Sequence, residues 1–267
     1  MQNSMNAIEV KNLRKSFPGF ALDVSFSVPT GFVCGFIGRN GAGKTTTMKC
    51  LLGMTIPDGG EISILGRPSG DVSLKADIGV MLDQPYYQDD WTVKDVEKAL
   101  RPYYERWDGE VWRKYLDTFS LPERKKFKDF SRGMKMKLGM SAALAHDAKL
   151  LLLDEPTGGL DPVVREEMLD IMRDYLLDET RTIFFSTHIT SDLEKIADRI
   201  IFISGGKIVF DDEKDALTDK YALVRGDGLD ELRHTNRLGG LPPTVITEKP
   251  TLDDIVVYFE RGMRNDS

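Results

Sequence analysis

The chain has 267 residues, a length that fits one or two domains of about 150 residues each and supports a sizeable core. Hydrophobic residues make up 41% and charged residues 30%, a globular balance that argues against disorder. Lys and Arg number 36 against 43 Asp and Glu, a formal charge of −7, which argues against a general nucleic-acid binder.

Two cysteines, Cys34 and Cys50, cannot build a multi-bridge framework, which suits a reducing compartment. The N-terminal stretch carries no apolar segment of the secretory-signal kind. No run approaches the ~18 consecutive apolar residues that would span a bilayer. A membrane role would therefore need another chain to supply the spanning part.

In chain order, Ile8 to Leu13 and Val24 to Val28 alternate apolar and polar residues, which predicts antiparallel strands joined at Pro18–Gly19. Phe32 to Ile37 is a nearly continuous apolar run. It leads into a glycine-rich turn and a helix from Lys44, the opening of an α/β unit. Between about residues 84 and 145 the period becomes helical: Val93, Val96, Ala99 and Leu100 share one face, and Val111, Tyr115, Leu116 and Phe119 another. Leu150 to Leu153 and Thr182 to Phe185 are two further buried-strand runs. Asp161–Pro162 opens a helix whose inner face carries Val164, Met168, Ile171, Met172 and Tyr175. Arg199 to Ser204 and Lys207 to Phe210 flank Gly205–Gly206 as a hairpin. The segment from 212 is interrupted at Gly226–Asp227–Gly228 and Gly239–Gly240. It ends in a helix starting near Thr251, with Asp254 three residues on.

Two segments carry chemistry. Gly38 to Thr45 reads G-R-N-G-A-G-K-T and matches G-x-x-x-x-G-K-[ST] between a predicted strand and a predicted helix. Glycines in such a loop turn backbone N–H groups inward around an anion, and the helix N-terminus adds partial positive charge. Lys44 is expected to reach the β- and γ-phosphates of ATP, and the Thr45 hydroxyl to bind Mg²⁺. The loop residues Gly38, Arg39, Asn40, Gly41, Ala42, Gly43, Lys44, Thr45 and Thr46 form the expected cradle. The second segment is the apolar run ending in Asp154 and Glu155. Asp154 is expected to hold Mg²⁺ through water, and Glu155 to activate an attacking water. Alone, this segment could equally be a strand followed by a solvated acidic turn.

With these motifs in order, the chain resembles the ATP-binding-cassette (ABC) ATPases over about residues 6–210, especially the nucleotide-binding subunits of bacterial export systems. The resemblance implies an α/β P-loop NTPase core with an antiparallel β subdomain and a helical insertion (about 84–145), filling residues 1–211. A small C-terminal extension, 212–267, follows. It implies that Ser131 and Gly133, in F-S-R-G-M-K, contact the γ-phosphate of ATP held by a second copy, although Arg132 stands where glycine is usual. Asp161 would communicate across that dimer. His188 matches the switch histidine, a catalytic residue together with Glu155 and Lys44. Phe17 matches the aromatic that stacks on adenine. The loop glutamine that contacts Mg²⁺ is expected at Gln84, although its usual position falls on Asp83.

The implied mechanism packs two cassettes head to tail around two ATPs. Between Glu123 and Lys137 seven basic residues face two acids, a local charge of +5 that nucleotide phosphates would offset. Hydrolysis would reopen the dimer and drive a membrane-spanning partner at the cytoplasmic face of the membrane. That partner is expected to dock near Asp83 to Trp91, where Tyr86, Tyr87 and Trp91 supply aromatic contacts. The competing reading is a cassette ATPase with no membrane partner, similar to those of iron–sulfur assembly. The Lys44 to Asp154 interval is too short for the coiled coil of DNA-repair ATPases, and only one phosphate loop is present.

Overall fold

The computed structural model describes residues 6–226, 229–237 and 244–265. Asp227–Gly228 and Gly239–Gly240, two of the expected breaks, lie outside the described residues. The chain opens with β1 (Asn6–Phe17) and β2 (Phe20–Pro29), an antiparallel pair closing at Phe17 opposite Phe20. Leu22, Val24, Phe26 and Val28 are buried while Asp23 and Ser25 are exposed, the expected alternation. In β1 the alternation breaks: the register shifts between Val10 and Leu13, and Asn12 takes a left-handed φ of 50°. That bulge was not legible in the pattern.

The core strand β3 (Val33–Ile37) is buried throughout and feeds α1 (Lys44–Leu51). Next come β4 (Gly59–Ile64), β5 (Arg67–Pro68) and β6 (Ile78–Met81). Three helices separate β6 from the next strand: α2 (Val93–Leu100), α3 (Gly109–Thr118) and α4 (Arg132–Leu144). The Thr92–Asp95 capping box starts α2, and Asp108 caps α3. Val93, Val96, Tyr115, Leu116 and Phe119 are buried as expected, and the fully enclosed Trp112 joins them.

The chain then alternates β7 (Leu150–Asp154), α5 (Pro162–Tyr175), β8 (Thr182–Thr187), α6 (Thr190–Ile196), β9 (Arg199–Ser204) and β10 (Lys207–Glu213). Asp161 caps α5, its carboxylate accepting from Val163 N and Val164 N at 3.1 Å. The tail adds α7 (Lys214–Lys220), β11 (Tyr221–Gly226), β12 (Leu229–His234), β13 (Ile246–Glu248) and α8 (Leu252–Asn265).

Ten strands form one sheet in the order β5-β4-β1-β2-β10-β9-β3-β8-β7-β6. From β9 to β6 neighbouring strands are parallel, whereas β1 pairs antiparallel with both β2 and β4. Two apolar layers sandwich the sheet. Leu151, Leu153 and Phe185 face one, and Leu150, Leu152 and Phe184 the other. A continuous apolar run is what a strand buried on both faces requires.

In the tail, β12, β11 and β13 make a separate three-stranded sheet. Helix α8 packs back on the main body, with Leu252, Ile255 and Val256 buried in the layer that holds Leu193 and Phe202. The Thr190 hydroxyl donates to Asp253 at 3.1 Å, and Leu252 N donates to Glu194 at 3.2 Å, so α8 is tied to α6. No helix among the described residues is long and apolar enough to cross a membrane.

Trp112 is 0% exposed, so Trp112→Ala opens a cavity in the helical insertion. Chemical denaturation should show a loss of about 3–5 kcal/mol.

Candidate functional site

Strand β8 lies between β3 and β7, so the C-terminal ends of these three parallel strands stand side by side. Ligands of open α/β sheets gather at that edge. The Gly38–Gly43 loop leaves β3 there, Asp154 and Glu155 end β7, and His188 follows β8. The topology thus joins residues far apart in sequence.

The loop needs its glycines for different reasons. A Cβ on Gly38 would stand 2.4 Å from the Ile203 carbonyl oxygen, so the backbone could not lie against β9. Gly43 has φ 117°, a left-handed value that L side chains rarely adopt. The loop walls a cavity of about 540 Å³. Arg39, Asn40, Gly41, Gly43, Lys44, Thr45 and Thr46 all line it. Gly38 and Ala42 support the loop from within, Ala42 N donating to Arg39 O and Ala42 O accepting from Gly206 N.

Lys44 is 5% exposed, and its Nζ donates to Gly38 O at 2.5 Å and Arg39 O at 3.2 Å. The same Nζ lies 3.1 Å from Glu155 Oε1. The other Glu155 oxygen, Oε2, lies 2.8 Å from His188 Nδ1. An ionised carboxylate only accepts, so Nδ1 carries the hydrogen and Nε2 is left for another partner. Glu155 itself has φ 51°, uncommon for a non-glycine residue, which turns its side chain from the strand end toward Lys44.

Ser186 was not singled out in the sequence, although it sits in the S-T-H run ending at His188. Its hydroxyl donates to Asp154 Oδ1 at 2.5 Å and accepts from Glu155 N at 3.0 Å. Asp154, 2% exposed, is thereby held beside Glu155. A second unforeseen group braces the turn: buried Asp192 accepts from the Thr157 hydroxyl and from Arg165 Nε.

Other expected residues lie elsewhere. Phe17 is 45% exposed beside the hairpin turn and does not line the cavity; Phe20 does, with the two rings 6.5 Å apart. At the loop after β6 it is Asp83 that lines the cavity. Gln84 accepts from the Tyr86 hydroxyl at 3.1 Å and faces a neighbouring cavity of about 310 Å³ instead. Ser131 caps α4, accepting from Met134 N at 3.3 Å. Neither Ser131 nor Gly133 lines the cavity of its own loop.

A family model described as ABC transporter matches residues 21–158. The chain belongs to the ABC transporter family. It is an ATP-binding, ATP-hydrolysing subunit of that family. Relatives include the lantibiotic transport ATP-binding protein SrtF of Streptococcus pyogenes, 34% identical over 85% of this chain and 99% of that protein. The Nod factor export ATP-binding protein I of Rhizobium sp. (strain N33) is 35% identical over 80% of this chain and 73% of that protein. A solved ATP-binding subunit of an ABC transporter superimposes with a TM-score of 0.71 at 27% identity, covering 79% of this chain and 91% of that one. The P-loop core, the antiparallel β subdomain and the helical insertion are thus the ABC ATPase fold.

Ser186→Ala removes a donor from buried Asp154 and an acceptor from Glu155 N. Unfolding stability should fall by about 1–3 kcal/mol. Turnover should fall more than nucleotide affinity, as read by steady-state hydrolysis against equilibrium binding.

Proposed function

We propose that this chain powers an exporter, binding ATP in the Gly38–Thr46 cradle and hydrolysing it with Glu155 as general base. One observation carries this reading: a single carboxylate spans Lys44 and His188 at the mouth of a glycine-walled cavity. The loop amides and Lys44 receive the phosphates, and His188 holds Glu155 in line with an attacking water. Phe17 and Phe20 offer aromatic faces for adenine beside the cavity.

The donor set fits Mg²⁺, a hard cation that takes oxygen ligands and keeps several waters. The Thr45 hydroxyl, the Asp154 carboxylate and a side chain of the loop after β6 would hold it. Asp83 is the better placed there, since it lines the cavity and Gln84 does not. When bound, the ion supplies charge neutralisation on the phosphates.

A second copy completes the site in this reading. Ser131 and Gly133 lie off their own cavity, at the N-terminus of α4, where a hydroxyl and free N–H groups suit an anion presented from outside. The unit formed by residues 1–211 does this work, and 212–267 is an accessory segment whose α8 is tied to α6.

The membrane-spanning partner docks between the core and the insertion, which puts the chain at the cytoplasmic face of the membrane. Two cavities flank β6. The one of about 310 Å³ is lined by Pro85, Tyr87, Phe127 and Met136, and one of about 440 Å³ by Leu52, Val72, Val80 and Tyr104. Tyr87 and Trp91 are partly buried against the core, Tyr87 edge-on to Phe127 at 5.3 Å, whereas Tyr86 is 82% exposed. Two relatives are a lantibiotic transport protein and a Nod factor export protein, which supports an outward direction here.

Two experiments test this reading. Glu155→Gln should keep nucleotide binding and lower hydrolysis about 10²–10⁴-fold; near-normal turnover would reject the base assignment. Tyr86→Ala should reduce recovery of the membrane partner from detergent extracts, and undiminished recovery argues against docking at this cavity.

A further inference from the structure

Arg132 stands where the family resemblance expects glycine, and its larger side chain makes two contacts. One guanidinium nitrogen lies 2.6 Å from Asp83 Oδ1, and Nε donates to the Gly158 carbonyl at 2.9 Å. A single group thus ties the start of α4, the loop leaving β6, and the turn that follows Glu155. A planar fork reaches two acceptors at once, which a lysine ammonium on a flexible stem does less well.

Asp83 is a shared residue. It lines the loop cavity together with Thr45, and it also lines the 310 Å³ cavity together with Arg132. Its carboxylate therefore has a guanidinium on one side and, on the nucleotide reading above, a nucleotide-bound cation on the other. The guanidinium holds Oδ1, so it shares the carboxylate's charge and pulls its orientation toward α4.

We propose that Arg132 is a positioning residue: it holds Asp83 on the α4 side of this wall and yields it to a cation that arrives with the nucleotide. The inference rests on the nucleotide reading of the loop cavity. The two side chains are 43% and 44% exposed, so solvent screens the pair and keeps it weak. A weak pair is what an exchange of partners requires, because a strong one would not be displaced. The exchange also links two places. Whatever occupies the 310 Å³ cavity and draws the guanidinium away releases Asp83. By linkage, a cation that takes Asp83 releases Arg132 toward that cavity.

The test titrates Mg²⁺ into the full chain with a fluorescent, non-hydrolysable ATP analogue and reads the Mg²⁺ concentration at half-maximal binding. Arg132→Gln should lower that midpoint about two- to five-fold. Arg132→Lys, which keeps a charge beside Asp83, should restore most of it. Asp83→Asn should raise the midpoint, and adding Arg132→Gln to Asp83→Asn should move it no further. An unmoved midpoint for Arg132→Gln overturns the proposal, as does an equal shift with and without Asp83. So does a drop in melting temperature with no change in midpoint, the signature of a purely structural arginine. Should the wild-type chain bind the analogue with no Mg²⁺ dependence, the nucleotide reading fails and takes this proposal with it. That result is distinct from a Mg²⁺-dependent wild type with an unmoved variant.

Discussion

The site is organised around one buried cation. The Lys44 ammonium is almost wholly removed from water, and such a charge is costly unless oxygens surround it. The fold supplies two loop carbonyls and one carboxylate oxygen. That requirement shapes the neighbourhood. The loop must curl over its own lysine, which needs Gly38 flush against β9 and a left-handed Gly43. Glu155 must turn back from the end of β7, which it does at a positive φ. The oxygens that satisfy Lys44 are the ones that phosphate oxygens, with more negative charge, are suited to replace.

Glu155 is correspondingly occupied. One oxygen faces Lys44 and the other His188, so on the proposed reading a Lys44 that turns to a phosphate would leave the Glu155 carboxylate without its nearest cation. On that reading, loading the cavity and freeing the carboxylate would be one rearrangement. Ser186 keeps that rearrangement local, since it fixes Asp154 and the Glu155 backbone while the Glu155 side chain changes partners.

The candidate site was easier to pick out in the sequence than the architecture around it. The phosphate loop, the acidic strand end and His188 were legible because each is a local pattern attached to a strand end. The tail sheet was not, because its strands are separated by glycines and polar residues that read as breaks. The bulge at Asn12 escaped because a shift of register leaves no mark on composition. Trp112 escaped because the expected helix face was drawn through Val111 and Tyr115, and packing rotated it toward the tryptophan. At Asp83 and Gln84 adjacent residues take opposite sides of one wall, a choice made by loop geometry rather than by residue type. Ser186 is an ordinary strand residue until the parallel register sets it opposite Asp154.

Helix α6 has only seven residues, begins two residues after His188, and has no side-chain cap at its start. So short a helix is unstable alone. Buried Asp192 and Leu193 anchor it in the core, and α8 adds two ties, through Asp253 on Thr190 and Glu194 on Leu252. The segment that follows His188 is thus held from two sides, by the core and by a helix contributed from much later in the sequence.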